Sequence, residues 1–253
     1  MTRVAIIGNS HLAAFADAAE AIEARYPGVA LSFFGLDNQL FFKSDLRKGK
    51  ALRLADPPSE NTRQVIDPKG AHVLDFAAFD LVLLTSHGFY LRHLFEALGS
   101  FNLLGLRALN DTGPLVSQAC LRDAMAGHIN AYTNRLRRFF PAAENMVVVQ
   151  MPYPSTKAVE VSDALAGLQA QPDRQALFEM FNSGVHEHMF AKSLAYLPVP
   201  ETAMADPFFS KPDLSRAAEM DPDAEPELTD YMHMNASYAA LVFDELHRTI
   251  LAG

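Results

Sequence analysis

Four short, largely apolar runs constrain the fold more than any other feature of this chain. They occupy residues 4–7, 29–34, 80–85 and 146–150, and three of them carry an unbroken β-branched or aliphatic centre: Val4-Ala5-Ile6-Ile7, Leu81-Val82-Leu83-Leu84 and Met146-Val147-Val148-Val149. Strands that leave one face in water alternate apolar with polar residues, whereas continuous runs belong to strands covered on both faces. Helix-forming stretches separate them. Leu12, Phe15, Ala16, Ala19 and Ile22 recur at helical spacing and stop at Tyr26-Pro27-Gly28. The pattern predicts further helices at about 90–98, 115–140 and 158–195, the last broken at Gln171-Pro172-Asp173, and a closing helix over 235–251. A short edge strand is expected near 197–200.

Strands alternating with helices predict an α/β chain, a three-layer α/β/α domain with a mainly parallel sheet. The 253 residues, 49% of them hydrophobic, suffice for one such domain with a sizeable core. No linker-like stretch divides the sequence, so a single domain over 1–253 is expected. Irregular insertions are expected at about 37–70, with a strand around 64–66, and at 201–229, where the Pro- and Asp-rich part reads as an extended surface loop. Pro207-Phe208-Phe209-Ser210 in it reads as a lid or interface element.

Composition narrows the partners. A net charge of −9 repels phosphate backbones and anionic lipid headgroups, which argues against nucleic acid or membrane as the main partner. Cys120 is the single cysteine and reads as a buried helical thiol, which excludes an intrachain disulfide and a cysteine-built zinc site. His186 and His188 flank Glu187 on a helix and point to different faces, so no metal site is expected there. The N-terminus has no signal-like apolar run, and the cytoplasm is the expected compartment.

In parallel sheets of this kind, ligands bind beyond the carboxyl ends of the strands. Gly8-Asn9-Ser10, Gly35, Ser86-His87-Gly88 and Gln150 all fall at such ends. Ser10 follows a buried strand and opens a helix, a position that suits a helix N-cap and equally a nucleophile. Near the other end of the chain, Asp230 stands three residues before His233, just ahead of the closing helix. One turn can then present the carboxylate to one ring nitrogen and leave the other free as a base.

Taken together, Gly8-Asn9-Ser10-His11 and Asp230-x-x-His233 resemble the two signature blocks that open and close the SGNH (GDSL-like) hydrolase superfamily. The resemblance spans nearly the whole chain. It implies a flavodoxin-like SGNH-type fold and a serine esterase or acyltransferase, plausibly acting on O-acyl (O-acetyl) groups of a carbohydrate, without a cofactor. Ser10 would be the nucleophile, His233 its base and Asp230 the residue that orients the base. The oxyanion hole would be formed by Ser10 N–H and Gly35, with Gly49 as an alternative. Where the family carries a Gly-x-Asn, this chain has Thr85-Ser86-His87-Gly88-Phe89, so His87 or the backbone of Gly88 would have to replace the asparagine. Asn9 stands where the family usually has Asp. Asn9 and His11 are expected at the substrate pocket. The alternative is that the asparagine is simply lost, leaving a catalytically impaired domain with a binding or accessory role.

Overall fold

A computed structural model describes residues 1–35, 45–47, 51–53, 73–85, 102–103, 114–139, 144–220 and 230–251. Twelve strands follow in chain order: β1 (Thr2–Gly8), β2 (Val29–Gly35), β3 (Asp45–Arg47), β4 (Ala51–Arg53), β5 (Val73–Asp75), β6 (Leu81–Leu84), β7 (Asn102–Leu103), β8 (Leu115–Val116), β9 (Met146–Val149), β10 (Ala195–Leu197), β11 (Met204–Asp206) and β12 (Phe209–Ser210). The helices are α1 (Leu12–Asp17), α2 (Ala19–Arg25), α3 (Gln118–Phe139), α4 (Asp163–Gln169), α5 (Arg174–Ala191) and α6 (Ala236–Leu246).

The four apolar runs become four neighbouring strands of one sheet, three of them inside it and β2 at its edge. Its order is β10-β9-β6-β1-β2, and every pairing in it is parallel. Val4 to Ile7 and Val82 to Leu84 have no exposed surface at all, as their continuous hydrophobicity requires. Right-handed crossovers place α1 and α2 on one face of such a sheet and α3 and α5 on the other. The mainly parallel three-layer architecture is therefore the one expected. Helix α5 buries Leu177, Phe181, Val185 and Met189, one residue per turn, and packs against α3. The closing helix α6 buries Tyr238, Ala239, Val242, Phe243 and Leu246 and packs on α1 and α2.

Renumbered by position in the chain, the sheet order is 2-1-3-4-5. It reverses direction between β1 and β6, and that switch point is where doubly wound folds bind ligands. The two strands end in close contact there. Thr85, just past β6, donates its N–H to the Ile7 carbonyl at 2.8 Å and its hydroxyl to the same oxygen at 3.2 Å. A Cβ on Gly8 would lie 2.3 Å from that hydroxyl, so only glycine lets the chain turn here towards Ser10.

Two segments differ from the sequence expectation. The Pro- and Asp-rich part of the 201–229 insertion is only partly surface: residues 211–213, 216 and 218–219 are exposed, while 208–210 and 214–215 are buried. Phe208 and Phe209 are completely buried, and Phe208 packs its ring against Tyr153, Phe178 and Phe181. Phe208 holds a positive φ of 67° between β11 and β12, a conformation that no local pattern announces for phenylalanine. The Pro207–Ser210 stretch therefore builds core rather than a lid. Cys120 is likewise exposed on α3, not buried. The strand expected near 64–66 and the helix near 90–98 lie outside the described residues.

The tight β1–β6 approach yields a stability prediction. Gly8→Ala lowers the free energy of unfolding in urea by about 1–3 kcal/mol, the usual cost of overpacking. Gly28→Ala, where an added Cβ meets nothing within 4 Å, leaves stability unchanged or slightly raised.

Candidate active site

Ser10 sits on the turn between β1 and α1, one residue past Asn9. That turn is closed by backbone bonds from Leu12 N–H to the Asn9 carbonyl (2.9 Å) and Ala13 N–H to the Ser10 carbonyl (3.4 Å). The Asn9 side-chain oxygen accepts the His11 N–H at 3.4 Å. It therefore shapes the turn that presents Ser10. The N-cap of α1 is His11, not Ser10, and the Ser10 hydroxyl lies at 3.5 Å from the Asn9 side-chain oxygen. Its 2.8 Å partner is His233 Nε2, 223 positions away in the sequence. Of the two roles open to a serine at this position, capping is not the one it takes.

His233 is fixed from its other side. Its Nδ1 lies 2.9 Å and 3.0 Å from the two carboxylate oxygens of Asp230. Donation of Nδ1–H to the carboxylate leaves Nε2 as acceptor for the Ser10 hydroxyl, the tautomer a general base needs. Asp230 also accepts the backbone N–H of His233 (3.0 Å) and of Met232 (3.3 Å). Partial burial pushes the Asp230 carboxyl up, but the His233 amide and ring and the Met232 amide outweigh it and hold the group below its ordinary value. The carboxylate thus stays charged wherever the histidine works as a base.

The loop carrying this pair is anchored by the segment expected to be an irregular insertion. Arg216 N–H donates to the His233 carbonyl (2.9 Å), Ala217 N–H to the Asp230 carbonyl (3.0 Å) and Ser155 N–H to the Tyr231 carbonyl (2.9 Å). Asn235 caps α6 by accepting the Tyr238 N–H at 3.2 Å, and its amide donates to the carbonyls of Asp213 and Ser215. Residues 213–217 are therefore a brace for the histidine loop. The sequence does not announce this brace, because every bond in it ends on a backbone carbonyl of a distant segment, and such acceptors have no residue signature.

The remaining candidates divide. Gly35 ends β2 directly beside Gly8, in register with it, at the sheet edge that carries Ser10. The Ser10 N–H has no acceptor among the described residues. His87, Gly88 and Gly49 lie outside the described residues. His11 does not line an open pocket edge. It is 6% exposed, and its ring packs at a 4.7 Å centroid distance against that of His233. Its burial, helped by the charge of His233 and opposed by that of Asp230, lowers its pKa from 6.5 to about 3. His188 donates Nδ1–H to the Gly184 carbonyl, and among the described residues no group of three metal-ligating side chains converges.

No family model and no curated protein matches the sequence. Solved structures similar to this chain at low identity include the following three. An extracellular lipase from Streptomyces rimosus is 12% identical with a TM-score of 0.46, the match covering 98% of this chain and 99% of that one. A protein from Lactobacillus plantarum is 12% identical with a TM-score of 0.43, over 99% and 97% of the two chains. A DUF4886 family protein from Bacteroides uniformis is 12% identical with a TM-score of 0.41, over 96% and 82%. At these values the likenesses say nothing of chemistry, which rests on the residues themselves.

Neutral His11 makes stability depend on acid. The folded chain keeps the imidazole unprotonated down to about pH 3, while the unfolded chain protonates it near 6.5, so unfolding takes up a proton between those values. Stability is fully present above pH 6.5 and falls as the pH drops through that window. In urea melts the wild type loses up to about 1.4 kcal/mol per pH unit there beyond what His11→Phe loses. Parallel stability curves for the two proteins would contradict the assignment.

Proposed function

We propose that this protein is a serine esterase or acyltransferase that works through Ser10, His233 and Asp230. The observation that carries the reading is the continuous chain of hydrogen bonds from Ser10 Oγ through both nitrogens of His233 to the Asp230 carboxylate, at 2.8 and 2.9 Å. A serine that only capped a helix would need no imidazole. A histidine that only packed would need no carboxylate oriented against it.

In the reaction, His233 Nε2 takes the Ser10 proton as Oγ attacks the acyl carbonyl, and Asp230 steadies the imidazolium that forms. The tetrahedral oxyanion is received by the amide N–H of Ser10, which has no other acceptor among the described residues, and by that of Gly35 on the neighbouring strand. The imidazolium then protonates the departing alcohol. Water, or the hydroxyl of an acceptor, attacks the acyl-serine with His233 again as base, giving hydrolysis or transfer. The substrate class is an O-acyl ester; an O-acetylated carbohydrate is what the family resemblance implies, and no residue here specifies a sugar.

Labelling with a fluorophosphonate probe tests this. Ser10 is the expected site of modification, and both Ser10→Ala and His233→Ala abolish the reaction. Asp230→Asn lowers the turnover of a p-nitrophenyl acetate substrate by about 10⁴-fold, because the histidine loses its tautomer. An unlabelled Ser10 in folded protein contradicts the enzyme reading and favours a binding or accessory domain.

A further inference from the structure

His11 is an odd residue to find where it is. It follows Ser10 directly, its ring is buried, and its Nδ1 has no hydrogen-bond partner among the described residues. One side of the ring meets His233 at 4.7 Å between centroids, with the planes tilted by 45°. The residue also lines a small, mostly apolar cavity with Phe15, Val149, Pro152, Met234 and Tyr238, and the Tyr238 hydroxyl too has no hydrogen-bond partner among the described residues. Burying polar atoms without partners opposes folding, and an aliphatic side chain would fill the same space without that penalty. Shape alone therefore does not account for an imidazole.

We propose that His11 is a positioning residue that acts through His233, its buried ring held in tilted contact with that imidazole to keep Nε2 on Ser10 Oγ and to favour the imidazolium formed during acyl transfer. The π face of a neutral ring attracts a cation placed against it and excludes water from that side. Burial keeps His11 neutral through the working range, so it does not repel the charge that His233 acquires. Among the described residues, the titratable groups around the pair are Asp230 on the histidine's own loop and Tyr238 from α6; Arg216 bonds His233 only through its backbone and is exposed. The inference rests on the proposed role of His233 as base.

The experiment compares His11→Phe, which keeps an aromatic face, with His11→Leu and His11→Met, which do not. Each variant's folding is checked by urea denaturation. The rate of Ser10 labelling by a fluorophosphonate, and kcat/KM for p-nitrophenyl acetate, are followed from about pH 5 to about pH 9. In His11→Phe, labelling stays close to wild type and the acid limb of the profile does not move. In His11→Leu or His11→Met, labelling slows by about tenfold, and the acid limb shifts down by roughly half a pH unit or more as the cation loses its partner. A filler role predicts altered stability with unchanged acid limbs in all variants, and a substrate-contact role predicts a raised KM with unchanged probe labelling. Either result overturns the proposal. If wild-type Ser10 does not react, or reacts equally well in His233→Ala, the esterase reading itself fails and this inference falls with it.

Discussion

The packing of the last helix onto the first helices holds the site together. Ser10 and His233 come from opposite ends of the chain, and no strand of the central sheet carries His233. They meet because α6 buries an apolar stripe against α1 and α2, a match of surfaces that leaves the loop before α6 beside the turn before α1. A hydrogen bond of 2.8 Å tolerates little slippage between two such helices. Close packing in the core is thus what sets the geometry at the surface.

The electrostatics follow from how far each group is withdrawn from water. Asp230 and His233 remain about one-third exposed, so the carboxylate can stay charged with the help of two amide N–H groups and the imidazole. His11, one turn away, is withdrawn almost completely and stays neutral. Two histidines in ring contact thus sit in different surroundings, one buried and the other about one-third exposed. His11 stays neutral beside an imidazole that remains open to solvent.

Much of the fold was legible because a parallel sheet leaves a plain trace in the sequence. Strands buried on both faces read as apolar runs, and β1, β6 and β9 fall on those runs. The closing helix and its preceding Asp-x-x-His were legible for a similar reason, since Asn235 is a local capping signal and the three-residue spacing is a local constraint. The buried turn at Phe208 was not. Its positive φ and its partners Tyr153 and Phe181 are products of tertiary contact, and a Pro- and Phe-containing stretch amid acidic residues looks like surface. Cys120 reads as core by residue type, yet it falls on the outward side of α3. The role of Asn9 in shaping the turn and the burial of His11 were equally hidden, because both depend on what the rest of the chain lays over them.

As proposed, Ser10 is a nucleophile activated by His233 and not simply a serine near a histidine. The most direct test is rapid acid quenching during turnover of a slow p-nitrophenyl ester, followed by peptide mass mapping. The expected result is one acyl group added to the peptide containing Ser10, formed in a burst with nitrophenolate and absent in His233→Ala. Nitrophenolate release with no acylated Ser10, or acylation of a different residue, would contradict it.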